Sequence, residues 1–365
     1  MSLHSDALHV NCLHADTPVA ILLHGGIRGS SGKTGLALLR YANYPIVAVI
    51  DQECAGQSLA ELTGIPLSHP VPIVASMAEA LHYDPEVLVI GLAPSGGSLP
   101  EMWVAEVSQA VKAGLSVANG LHTPLNPLLG QYLHPGHWIW DIRQEPANLP
   151  VGRSQAATLK CERILMVGTD MGVGKMSSGL ELHRASLRQD LRSAFLATGQ
   201  TGILITGHGI PLDAIRVDFA SGAVEQEVLR LGAHADILFI EGQGSLLNPA
   251  STATLPLIRG AQPTRMVLAH RAGQTHIHPP CDHVRIPPLA EVIQLYETVA
   301  RAGGAFHPAH VVAIALNTHH LREQEALQAI TTVEDETGIP CGDVVRFGSN
   351  HLLQQILGSN HSSVE

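Results

Sequence analysis

The apolar run Arg163–Val167 passes without a break into Gly168-Thr169-Asp170-Met171-Gly172-Val173-Gly174-Lys175-Met176-Ser177, and a helical pattern follows from Met176. A strand, a glycine-rich turn and a helix start, in that order, admit few folds. Such a turn aims successive backbone N–H groups at one anion, the helix N-terminus adds its dipole, and the lysine adds a point charge. A phosphate group is the expected ligand, contacted by Gly168, Thr169, Asp170, Gly172, Val173, Gly174, Lys175, Met176 and Ser177. Lys175 is expected to be an exposed loop charge. The leading glycine lies one residue further from Gly174-Lys175 than in the usual G-x4-GK[ST] form. Met176 stands where a hydroxyl would hold Mg²⁺, with Ser177 beside it. A phosphate cradle without phosphoryl transfer is therefore as open as ATP chemistry, and a purely structural turn is the bland alternative.

The same alternation of apolar runs and helix-length segments fills the rest of the chain. In the first half, strands are expected at Val19–His24, Ile46–Ile50, Val87–Ile90 and Leu115–Ala118, with helices ending near Ala42 and spanning Pro100–Ala113. In the second half, strands are expected at Arg163–Val167, Ala194–Ala197, Ile237–Ile240, Met266–Ala269 and Val311–Leu316. Helices are expected at Met176–Arg188, Gly222–Leu231, Leu289–Ala302 and Leu321–Glu336, and Gln274–Pro288 reads as a loop. Strands separated by helices imply right-handed crossovers and parallel sheets. At 365 residues the chain exceeds one typical core. The proline-rich, aperiodic stretch 134–160 then divides it into domains 1–150 and 151–365. The fold class expected is α/β: two doubly wound domains, the N-terminal one Rossmann-like and the C-terminal one P-loop NTPase-like.

Hydrophobic residues make up 45% of the chain and the formal charge is −11, which argue for a globular protein and against nucleic acid or an anionic membrane as partner. An anion must then be caught by a local device. Lysine is scarce, limited to Lys33, Lys112, Lys160 and Lys175, and two of these follow a glycine in a Gly-rich loop. The five cysteines form no CxxC pair and read as reduced thiols. With no signal-peptide core at Met1–Asp16 and no apolar run of spanning length, a cytoplasmic protein is expected.

Several further segments carry chemistry-bearing residues. Gly26–Thr34 repeats the strand–loop–helix setting, so Gly32, Lys33 and Thr34 form a candidate second ligand loop. Asp51, about 20 residues on, stands where a Rossmann domain has a ribose-binding acid. A tight structural turn is the alternative. Glu241, at the end of Ile237–Ile240, stands where P-loop proteins have a metal-holding or water-orienting carboxylate. Asn317 ends Val311–Leu316 and is a candidate adenine contact, or simply a helix cap. Thr198–Gly202, with Gln200 and Thr201, reads as a substrate loop or an ordinary connection. His276-x-His278-x2-Cys281-x-His283 invites a metal, but the flanking prolines suit a rigid surface loop equally, and no metal is expected.

The Gly168–Ser177 segment is similar to the loop of dethiobiotin synthetase. A wider resemblance runs through Gly32-Lys33-Thr34, Gly91-Leu92-Ala93-Pro94, Gly96-Gly97, Gly120-Leu121-His122, Ala197–Gly202, Pro211–Ala214, Glu241–Gly244 and Asn317-Thr318. On these residues the chain resembles a two-domain family, formerly of unknown function, that includes D-glutamate N-acetyltransferase. It departs from that resemblance at His208 and at Asn248-Pro249. The resemblance implies acetyl transfer from acetyl-CoA, as co-substrate, to the amine of D-glutamate or a similar small amino acid. Coenzyme A carries phosphates that the Gly168–Ser177 loop would grip. The alternatives are an ATP-dependent ligase or kinase using Mg²⁺ on a small carboxylate, and a nucleotide-binding protein without catalysis. A homo-oligomer is the expected assembly.

Acyl transfer needs a base for the acceptor ammonium and donors for the thioester oxyanion. Asp213, Glu241 and His122 are the candidate bases, and backbone N–H groups at Gly172–Lys175 or at Gly96 and Gly97 are candidate oxyanion donors. With two lysines committed to loops, an arginine is expected to hold the acceptor carboxylate, and Arg143 near the domain boundary is the candidate. An ion pair with Asp141 or Glu145 is the competing role for it.

Overall fold

The computed structural model describes residues 13–94, 97 and 99–358. Two six-stranded sheets, all of whose paired strands run parallel, organise these residues. The first holds β1 (Val19–Leu22), β2 (Ile46–Ile50), β3 (Ile73–Val74), β4 (Val87–Ile90), β5 (Ser116–Asn119) and β6 (Ile139–Asp141), in the order β3-β2-β1-β4-β5-β6. That is the strand order of a dinucleotide-binding Rossmann sheet. The second holds β7 (Glu162–Gly168), β8 (Ser193–Leu196), β9 (Ile237–Ile240), β10 (Arg265–Arg271), β11 (His310–Asn317) and β12 (Cys341–Gly342), in the order β12-β11-β10-β7-β9-β8. The strands that read as continuous apolar runs are the ones flanked on both sides. β1, β4 and β9 are buried at every residue, as a parallel sheet covered on both faces requires.

The chain divides into two compact units. One comprises Met1–Pro146 together with Gln200–Ala214, the other Ala147–Gly199 together with Ile215–Glu365. A single boundary near residue 150 assigns Gln200–Ala214 to the C-terminal domain, whereas here it belongs with the N-terminal unit. The reason lies in its packing. Gln200, Thr201 and Gly202, read from sequence as part of a loop Thr198–Gly202, instead open the helix Gln200–Thr206, in which Gly202, Ile203, Leu204 and Ile205 are buried. Thr201 Oγ1 shares a 2.9 Å hydrogen bond with Thr34 Oγ1, and Tyr44 Oη donates to the Leu204 carbonyl at 3.0 Å.

The strands the sequence did not announce are β3, β6 and β12. Two are only two residues long, too short for a period-two pattern to register. β6 lies inside the proline-rich stretch 134–160 and pairs with β5 at the sheet edge, where prolines are tolerated nearby. Asp51 also differs from expectation. It is fully buried and accepts from the Ile27 and Glu53 amides, so it caps the turn after β1 rather than presenting a carboxylate to a ribose. Among the described residues no helix is long and apolar enough to cross a membrane.

In the second unit the helix Leu289–Arg301 buries Val292, Ile293, Tyr296 and Ala300, a spacing that keeps one face on the sheet. Tyr296 is fully buried, and its hydroxyl donates to the Gly168 carbonyl at 2.7 Å while accepting from the Leu246 amide at 3.1 Å. One side chain thus ties the mouth of β7 to the loop after β9.

Candidate functional site

β7 ends on Gly168, and the chain then wraps through Thr169–Gly174 into the helix Lys175–Arg188. Gly174 is the N-cap at φ +111°, a left-handed geometry that disfavours a side chain. Lys175 corrects the expectation of an exposed loop charge: only 7% of it is accessible. Its ammonium curls back across the turn and donates to the Asp170 carbonyl at 2.6 Å. Burial pulls its pKa down to about 8, against the opposing pull of Asp170 and Glu241. Met176 and Ser177 follow half-buried in the first helical turn.

Glu241 follows directly on β9 and is likewise buried. Its Oε2 accepts from the amides of Thr198 (2.8 Å) and Gly199 (3.2 Å), and Oε1 accepts from Gln243 Nε2 (3.3 Å). Burial raises its pKa to about 7, while these bonds and Lys175 pull the other way. Gly242 makes this approach possible, because a Cβ there would lie 1.7 Å from the Met166 carbonyl oxygen. A buried ammonium and a buried carboxyl, each moved toward neutrality, therefore sit in one loop cluster.

Asp170 is spent on structure. Burial alone would raise its pKa, but the bonds it accepts outweigh that and hold it below the usual carboxylate range. The donors are the His278 amide (2.8 Å), Asn248 Nδ2 (2.7 Å), the Met171 amide (2.7 Å) and Gln274 Nε2 (2.8 Å). These bonds pin the loop Gln274–Pro288 to the glycine turn. Gln274 and Tyr296 carry no local motif, while His278 drew notice only for a metal-like spacing and Asn248 only as a departure from the resemblance, so their bonds around the glycine turn were not read from sequence. Thr169 is fully buried against His270, whose pKa burial lowers to about 4, so the ring is neutral. Asn317 Nδ2 donates to the Val173 carbonyl at 3.4 Å, and its Oδ1 accepts from the His319 amide at 3.3 Å. His276 is exposed and bonded to Thr275, and Cys281 is buried. Among the described residues no three or more His, Cys, Asp or Glu side chains are grouped to hold a metal ion.

The N-terminal unit gathers a second set. Arg143 Nη1 pairs with Asp213 Oδ2 at 2.8 Å and bonds to His122 Nε2, with His122 Nδ1 at 3.2 Å. Asp141, one of the two partners weighed for the competing ion-pair role of Arg143, is engaged elsewhere: its carboxylate takes Asn119 Nδ2 and the amides of Leu125 and Asn126. Gly97, at φ +69°, lies so near that a Cβ would fall 2.3 Å from His122 Cδ2. Gln200 packs beside Gly120, and Thr201 meets Thr34. Gly32 is buried at the start of the helix Lys33–Tyr41, while Lys33 is exposed. Gly96 lies outside the described residues. Of the three candidate bases, Glu241 is in one unit and His122 and Asp213 are in the other.

Two family models match the chain: a domain of unknown function described as the DUF1611 C-terminal P-loop domain, over residues 150–353, and the DUF1611 N-terminal Rossmann-like domain, over residues 52–145. A solved DUF1611 family protein from Anabaena variabilis superposes with a TM-score of 0.89 at 60% identity, covering 94% of this chain and all of that one. The D-glutamate N-acetyltransferase of Tritonibacter scottomollicae is 35% identical over 286 residues, 77% of this chain and 84% of that protein. The enzyme of the same name from a Pseudoalteromonas species is 33% identical over 288 residues, with the same coverage.

Proposed function

The chain belongs to the DUF1611 family, and on that premise we propose that it is an N-acetyltransferase moving an acetyl group from acetyl-CoA to the amine of D-glutamate or a closely similar amino acid. The observation that carries the reading is the likeness to two proteins named D-glutamate N-acetyltransferase over 77% of the chain, a stretch longer than either unit alone. The loop chemistry supports it. In the reading, the Gly168–Gly174 amides and Lys175 hold phosphate oxygens of coenzyme A, using the helix N-terminus as an anion seat. Glu241, with a pKa near 7, takes the proton of the acceptor ammonium. The freed amine attacks the thioester carbonyl, a C–N bond forms, the C–S bond breaks, and coenzyme A leaves as a thiolate that takes up a proton. The direct test is incubation with acetyl-CoA and a panel of D- and L-amino acids, reading thiol release and the mass of the product. Thiol release without an N-acetylated product in any arm would refute the reading.

One observation favours a second reading: Glu241 and Lys175 flank a glycine turn, as a metal-holding acid and a phosphate lysine do in ATP-using enzymes. Met176 speaks against it, since it offers no hydroxyl to Mg²⁺. Acetyl-CoA is therefore expected to bind equally well in EDTA and in Mg²⁺, by calorimetric titration alongside Mg-ATP and NAD. Collapse of acetyl-CoA affinity on chelation, with tight Mg-ATP binding, would put the ligase or kinase reading first.

A further inference from the structure

In the sheet order β12-β11-β10-β7-β9-β8, the glycine turn after β7 has Glu241, after β9, on one side and the ends of β10 and β11 on the other. A coenzyme A diphosphate held in that turn sends out two arms. The pantetheine arm carries the thioester and must reach Glu241, so the side of β10 and β11 is left to the adenosine arm. That side is open. A cleft of about 1710 Å³ lies there, lined by His270, Ala272 and Leu316 at the strand ends and by the helix Glu323–Thr337. Small-molecule sites usually enclose about 300–1,000 Å³, so there is room for a nucleotide-sized group. Open α/β sheets receive ligands at the carboxyl ends of their strands, where this cleft sits.

Another wall of the cleft is the loop that the turn itself holds. Gln274 Nε2 and the His278 amide both donate to Asp170 Oδ2. Between them His276 pairs with Arg285 in an antiparallel bridge, flanked by amide bonds from Ile277 to Val284 and from Ile286 to Thr275, each 2.9 Å. Paired residues project to the same face of such a ladder, and His276 and Arg285 both line the cleft. Arg285 is thus carried about 5 Å across the bridge from a segment bonded to the turn. It is exposed, and its guanidinium has no ion pair or hydrogen bond among the described residues. Gln324 and Gln328 stand one turn apart on the helix wall, also exposed and with side-chain amides unbonded among the described residues. Such amides donate and accept together, as the edge of an adenine requires. Ile286, Leu289 and Leu321 offer apolar surface to the ring. Two carboxylates share the lining: Glu325 Oε2 accepts from the Arg322 amide at 2.9 Å, and Glu336 lies in the last turn of the helix. In a chain with a formal charge of −11, an unpaired arginine in a cleft is a local device for an anion.

We infer that this cleft seats the 3′-phosphoadenosine end of coenzyme A, with Arg285 on the 3′-phosphate and the Gln324 and Gln328 amides on the adenine edge. The choice of coenzyme A rests on the acetyltransferase reading. An arginine suits the task because its planar fork offers a phosphate two parallel N–H bonds. ATP has no 3′-phosphate, so the same contact selects coenzyme A over ATP.

The test is calorimetric titration of the full chain with coenzyme A and with 3′-dephospho-coenzyme A, which differ only at that phosphate. The wild type should bind coenzyme A about ten- to a hundredfold more tightly, the worth of a charge-assisted contact. Arg285→Gln should bring the two affinities together by weakening coenzyme A alone. Arg285 is exposed, so this variant should melt like the wild type. Ala329→Trp, which fills the cleft from the helix wall, should weaken both ligands about tenfold or more in a protein checked for wild-type melting. Equal affinities in the wild type, a preference that survives Arg285→Gln, or equal weakening of both ligands by Arg285→Gln overturns the inference and leaves the acetyltransferase reading standing. Unchanged binding in a folded Ala329→Trp protein does the same. A folded wild type that binds neither ligand overturns both. A preference lost in Arg285→Gln upholds the seat even where no amino acid is acetylated.

Discussion

Replacing Glu241 with glutamine is expected to lower kcat for acetyl transfer by about 10²–10⁴-fold, the usual worth of a positioned general base. The substitution is nearly isosteric, and a glutamine carbonyl oxygen still accepts from the Thr198 and Gly199 amides, so the loop has its bonds. What it loses is the proton acceptor. Because burial holds the Glu241 carboxyl near 7, the wild-type rate should rise with pH through about 7 and level off above it. Glu241→Gln should lack that limb. The same shift has a sign in stability. A carboxyl whose folded pKa lies above its ordinary value of 4.5 contributes stability that is present below about 4.5 and lost as pH rises through about 7. Glu241→Gln should therefore melt progressively higher than the wild type as pH rises across that window. A variant that keeps wild-type kcat, or keeps the acid limb, sinks the assignment of Glu241 as base.

The long central strands were legible because burial on both faces writes a continuous apolar run into the sequence. Ile46–Ile50, Val87–Ile90 and Ile237–Ile240 were readable to the residue for this reason. The glycine turn after β7 was legible through its backbone demands, which few residues besides glycine meet. Edge strands such as β6 and β12 were not, since half their surroundings are loop and their side chains need no pattern. Nor was the placement of Gln200–Ala214. Its turn-rich opening, Thr198–Gly202, resembles a loop, and only tertiary burial of Ile203, Leu204 and Ile205 makes the next residues a helix in the N-terminal unit. The Arg143–Asp213 pair joins residues seventy positions apart, and no local signal announces such a meeting. Asp51 illustrates the opposite hazard, a motif position filled by a residue with another task. Its spacing suits a ribose contact, but the buried carboxylate is occupied by the Ile27 and Glu53 amides.

Lys175 is the position where sequence and structure disagree in a way that changes the expected experiment. As an exposed charge its removal would affect ligand alone; as a buried ammonium bonded to the Asp170 carbonyl it also acts electrostatically on Glu241. Lys175→Ala is expected to weaken acetyl-CoA binding about ten- to a hundredfold, the loss of a charge-assisted phosphate contact. Stability has its own pH signature, best read in Lys175→Met, which keeps the volume and drops the charge. The folded pKa of Lys175, about 8, lies below its ordinary 10.5, so its contribution is present above about 10.5 and lost as pH falls through about 8. At neutral pH the wild type thus bears the cost of a desolvated ammonium, which methionine removes. Methionine also strips Glu241 of the cation that favours its ionised form, so the Glu241 pKa rises further. Lys175→Met should consequently gain on the wild type in melting temperature at mildly acidic pH and lose that advantage as Glu241 is forced to ionise. The acid limb of any residual activity should move to higher pH in parallel. A normally melting Lys175→Met protein that binds acetyl-CoA like the wild type would remove Lys175 from the phosphate site, whatever its melting curve does with pH.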